Sequence, residues 1–150
     1  MRLVIIVTAT ILASCAPAPP PVAEAKPDPV TEAWYGQTIG ELTALTHEAE
    51  RLFRGGKTDE SSALITKGET LVSRLLSAPR PTLAAMVAAS DLDDLYGRML
   101  LANRNDGWAR LQFQKNLMRW RNWKPETEDT ARRLKQAQSA IQECDRRLAQ

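Results

Sequence analysis

Few side chains in this 150-residue sequence are placed to do chemistry. His47 is the single histidine, and it sits two residues from both Leu45 and Ala49, off their apolar stripe, so it is expected in solvent. A triad or a metal cluster needs a second suitable group beside it, and none can be assembled here. Asp91, Asp93 and Asp94 form an acidic knot. Helical spacing splays the three, and the glycine and ligand spacing of a calcium loop are missing; they read as a helix cap and a solvated face. Gly55-Gly56-Lys57-Thr58 matches the end of a phosphate loop, but no glycine stands where that loop begins and no strand precedes it. Paired acid and base groups cannot be placed, so no catalytic residue, metal or cofactor is expected.

The one dense constellation is Arg119-Trp120-Arg121-Asn122-Trp123-Lys124. Guanidinium groups stack on indoles, and the two residue types together anchor many binding surfaces. Trp120 continues the apolar stripe of Phe113 and is expected in the core. Arg119, Arg121, Trp123 and Lys124 are then a basic, aromatic rim for an acidic protein, cell-wall glycan or anionic headgroups.

The N-terminus carries one basic residue, Arg2, then an apolar run from Leu3 to Leu12 broken only by threonines. That is the pattern of an export signal. It is short of the roughly 20 apolar residues that span a bilayer. The run closes on Leu12-Ala13-Ser14-Cys15, which resembles the lipobox of bacterial lipoproteins. The resemblance implies removal of residues 1–14 as a signal peptide and acyl groups attached at Cys15. Each buried methylene then contributes roughly 0.8 kcal/mol, so several chains hold the protein firmly. By the sorting rule of enteric bacteria, Ala16 after the cysteine implies the outer membrane, facing the periplasm, where aspartate implies retention at the inner one.

Residues 15–29 are the lipidated cysteine and a tether. Ala16 to Pro29 holds six of the nine prolines, and proline has no amide donor and a fixed φ. This stretch is expected to be an extended spacer reaching roughly 40 Å at about 3.1 Å per residue.

Residues 30–150 read as one all-α domain of about five antiparallel helices. Trp34, Thr38, Leu42, Leu45, Ala49 and Leu52 recur at three- and four-residue steps, up to the stop at Gly55-Gly56. Thr58 or Asp59 can cap the second segment. Its row is Leu64, Gly68, Leu71 and Leu75, with Gly68 admitting a close neighbour. The third segment, Pro81 to Asn103, is one helix or two, depending on whether Ser90-Asp91 restarts it. The fourth carries Ala109, Phe113, Leu117 and Trp120, with Trp108 and Leu111 adjoining. The fifth opens at Pro125 and buries Leu134, Ala137, Ile141, Cys144 and Leu148. Cys144 on that stripe is expected to be buried rather than paired between chains.

Gly97, Ala109 and Phe113, spaced 12 and 4 apart, resemble the small and aromatic positions of a tetratricopeptide repeat. The repeat's tryptophan position holds Asp93, and Ala63 to Ala109 spans 46 residues rather than the repeat's 34. The resemblance implies a protein-binding helical array, with a plain helical bundle as the alternative.

Charge is near balance overall, with 20 basic and 18 acidic residues, which argues against a nucleic-acid binder. It is uneven along the chain. Residues 15–103 carry 8 basic and 12 acidic side chains, whereas 104–150 carry 11 and 6. The first functional expectation is a membrane-anchored adaptor or scaffold that binds an envelope protein. The second is a structural envelope component that contacts peptidoglycan or self-associates through Leu134, Ile141 and Leu148.

Overall fold

A computed structural model describes residues 28–150. The expected signal peptide, the lipobox-like motif with Cys15 and nearly all of the expected tether lie outside the described residues. A short 3₁₀ turn, Pro29–Thr31, leads into five helices: α1 (Ala33–Arg54), α2 (Thr58–Leu76), α3 (Leu83–Ala102), α4 (Asp106–Asn122) and α5 (Glu128–Leu148). The described chain is all-helical, as the apolar period predicts.

Each helix packs on its neighbours in sequence, because the connections between them are short and leave no room to cross over. α1 and α2 pair closely, as do α3 with α4 and α4 with α5, and α3 also lies against both α1 and α2. The main core fills the space between α1, α2 and α3 with Tyr35, Leu42, Leu45, Ile65, Leu75, Leu92 and Leu95. A smaller core of Ala109, Phe113, Ile141 and Cys144 joins α4 to α5. Two glycines set the closest approaches. A Cβ at Gly68 would lie 2.8 Å from a methyl of Leu92, and one at Gly97 would lie 2.6 Å from the Phe113 ring.

Several local expectations are corrected. Tyr35 rather than Trp34 leads the α1 stripe: it is fully buried, and its hydroxyl accepts from the Thr82 amide at 3.2 Å. Neither Thr58 nor Asp59 caps α2; Lys57 holds that position without a side-chain bond. The alternative left open at Ser90-Asp91 resolves to one helix: α3 is continuous there and capped by Thr82. Pro125 stands in the connection, and Thr127 and Thr130 close a capping box that starts α5. Ala137, Ile141 and Cys144 of α5 are buried as expected, but Leu134 is only half-buried and Leu148 is exposed. Trp108 and Leu111 do not adjoin the α4 core, for both stand in solvent.

Contacts along the helices fix their directions. Tyr35 reaches Thr82, so α1 and α3 begin at the same end; Trp120 reaches Ser90, so α4 finishes there. The tether therefore enters at the end where α4 terminates.

Candidate functional site

The rim expected from Arg119, Arg121, Trp123 and Lys124 does not form as one surface. The Arg119 side chain is only 7% exposed and donates from Nη2 to Asp93 Oδ2 at 2.9 Å, while Asp93 is itself buried. This corrects two readings together: Arg119 is no rim residue, and Asp93 is no solvated acid. Their partners complete a polar seam between α3 and α4. Asn116 accepts from Arg119 and donates to the Ser90 carbonyl at 3.0 Å. Trp120, in the core as expected, donates from Nε1 to Ser90 Oγ at 2.9 Å. Arg121 and Lys124 are exposed and Trp123 is half-buried.

The acidic knot is thus split by the helix itself. Asp93 turns toward α4, while Asp91 and Asp94, three residues apart, share the opposite side of α3. There they stand between two clefts. One, of about 150 Å³, lies between α1 and α3 and is lined by Thr43, His47, Glu50, Asp94 and Arg98. The other, of about 220 Å³, lies between α3 and α5 and is lined by Ser90, Asn116, Arg132, Arg133 and Gln136. Asp91 and Asp94 line both. The two clefts lie side by side across α1, α3 and α5 as a two-lobed polar groove, with Asp91 and Asp94 between the lobes. The outer side of α5, around Arg132, Lys135 and Ser139, is by contrast an open surface made by one helix, with no opposing wall.

Ion pairs hold the groove in shape. Arg98 donates to Asp94 at 2.9 Å and to Glu50 at 3.2 Å, tying α3 to α1. Arg133 donates to Asp91 at 2.6 Å and to Asp129 at 2.9 Å, tying α5 to α3. Its guanidinium also lies 5.6 Å from the centre of the Trp120 ring. Burial works to raise the Glu50 carboxyl, but hydrogen bonds and charge from Arg54 and Arg98 outweigh it and hold the group below its ordinary range. Asp129 is likewise held low, first by the Arg133 hydrogen bond. Carboxylates held this way are fully ionised at neutral pH and poor proton donors. They are suited to recognition of charge.

His47 is exposed, as its spacing predicts, but it faces this groove. Cys144 is buried; burial and the nearby Asp106 and Asp145 raise its thiol pKa, which suppresses the nucleophilic thiolate. No group of three or more His, Cys, Asp or Glu among the described residues is placed to hold a metal ion. No described helix is long and apolar enough to cross a membrane. Asp91, Asp94 and His47 were each visible in the sequence as single residues. Their convergence depends on which side of α3 meets α1 and α5, and local spacing does not carry that.

The chain matches no protein-family model, no curated protein and no solved structure.

Proposed function

We propose that this protein is a lipid-anchored adaptor of the bacterial cell envelope, and that it holds a segment of a partner protein in the groove across α1, α3 and α5. The observation that carries the reading is the pair of adjoining polar clefts on either side of Asp91 and Asp94, which together reach from α1 to α5. A row of ionised side chains with exposed hydroxyl and imidazole groups can take an extended or helical polypeptide by its charges and its backbone. The close seating of Phe113 on Gly97 supports the repeat-like array, and the lipobox supports the anchor. Acyl groups on Cys15 would localise the chain, and the proline tether would space it.

The alternative, a structural component that self-associates through Leu134, Ile141 and Leu148, loses its central residue, because Ile141 is spent on α4. Contact with peptidoglycan stays attached to that second reading.

Capture from membranes after mild crosslinking tests the adaptor. The acylated chain should retrieve one protein in stoichiometric amount, and a Cys15→Ser chain should lose it along with the membrane. Thr43→Arg with His47→Arg fills the α1/α3 cleft from exposed positions, and should abolish capture while helix content stays unchanged. Undiminished capture by that variant would rule out the groove. Loss on Arg121→Ala with Lys124→Ala instead would move the site to the end of α4.

A further inference from the structure

α4 carries apolar residues on two sides. Ala109, Phe113 and Trp120 face inward, while Trp108, Leu111 and Met118 are 66%, 48% and 54% exposed. The outer three fall with Lys115 at steps of three, four and three, which places them along one side of the helix. Scattered exposed apolar residues are ordinary, but three large ones in a row on one helix form a patch.

Cations outnumber acids around the patch: Lys115 lies 4.0 Å from Glu69 of α2 and Lys124 lies 4.0 Å from Glu126, while Arg121 has no carboxylate partner among the described residues. The single acidic residue of α4, Asp106, lies toward α5, where its carboxylate is 3.8 Å from Arg147. The outward arc holds Lys115 and Arg121, both exposed, and Lys124 follows just past the helix end. A second copy docked face to face would add a second set of cations to a face already in cationic excess, which is unfavourable. An anionic bilayer satisfies both halves of the pattern. Its headgroup boundary accepts the indole and aliphatic side chains, and its phosphates meet the cations. The tether enters at the end of the domain where α4 terminates, and residues 16–27 reach at most roughly 40 Å.

We propose that the outer face of α4, built from Trp108, Leu111, Met118 and the flanking Arg121 and Lys124, docks on an anionic phospholipid surface. The proposal rests on the anchored reading only for the nearness of a bilayer. In the docked state α4 lies in the plane of the interface, with Trp108 at headgroup level.

The test is co-sedimentation of the chain from position 15 onward, carrying Cys15→Ser, with vesicles of phosphatidylcholine alone or mixed with phosphatidylglycerol. Without acyl groups, any binding belongs to the folded domain, so the result stands whether or not Cys15 is modified in the cell. The chain should bind the mixed vesicles, weaken as salt rises, and bind neutral vesicles far less. Trp108→Ser, Leu111→Ser and Met118→Ser together should lower affinity by roughly a hundredfold or more. Arg121→Gln with Lys124→Gln should remove the preference for anionic lipid. These positions are exposed, so circular dichroism should show unchanged helix content in every variant. Absence of binding by the parent chain, or equal binding by the triple serine variant, overturns the proposal. A concentration-dependent dimer lost in that variant, without vesicle binding, overturns it in favour of a second copy. None of the substitutions lies in the α1/α3/α5 groove, so partner capture there succeeds or fails independently.

Discussion

Asp93 and Arg119 show what a single side chain can conceal. By sequence Asp93 is one of three neighbouring aspartates, and Arg119 one of several cations around two tryptophans. Their side chains are 5% and 7% exposed, 26 residues apart and bonded to one another. Nothing in local period marks the pair, because its burial exists only once α4 has docked on α3. A buried pair adds little over a well-packed apolar one, yet breaking it leaves an uncompensated charge. Asp93→Ala should therefore cost about 3–5 kcal/mol in urea unfolding, whereas Arg121→Ala should stay within about 0.5 kcal/mol. Equal effects would mean that the seam carries no stability. Ser90, where the sequence left open one helix or two, is a buried acceptor for Asn116 and Trp120 on the same seam.

At the scale of the helix, the legible part was the apolar period. It gave five helices and their approximate bounds, since burial on one side repeats every three to four residues whatever the partner. The caps were less legible. Lys57 holds a cap position without a suitable side chain, whereas Thr82 before α3 and the threonine pair at the start of α5 follow the usual chemistry. The outer stripe of α4 misled for a physical reason: with apolar residues on both sides, period alone does not say which side faces in. Gly97 separates packing from propensity. Alanine there gains up to about 1 kcal/mol of helix propensity, but its methyl would stand 2.6 Å from the Phe113 ring. Gly97→Ala should lose about 1–3 kcal/mol, while Gly40→Ala, with nothing within 4 Å, should gain about 0.5–1 kcal/mol. Adding Phe113→Leu to Gly97→Ala should show a non-additive recovery in thermal unfolding.

Across the whole molecule, ion pairs join helices that are not neighbours in sequence. Glu50 links α1 to α3 through Arg98, and Arg133 links α5 to α3. Glu50 and Asp129 are held below their ordinary values of 4.5 and 3.8. The folded chain thus binds fewer protons than the unfolded one as the medium turns acidic. Their contribution is complete above the unfolded values and is lost as pH falls through the lowered ones. Unfolding midpoints in urea should be flat above about pH 6 and decline below about pH 4.5, with a shallower decline in Glu50→Gln. A midpoint independent of pH would show that these pairs are fully offset by solvent. The groove itself was not legible, since its walls come from helices spread between residues 43 and 137.

α4 packs against both α3 and α5, so its outward side looks away from the groove that those two help to build. Occupants of the two sides do not compete for space, and their binding free energies add. A chain held on one side then meets its second occupant at an effective concentration set by geometry, of millimolar order for short linkers. With both proposed occupants bound, weak contacts on each side would together make a durable bridge.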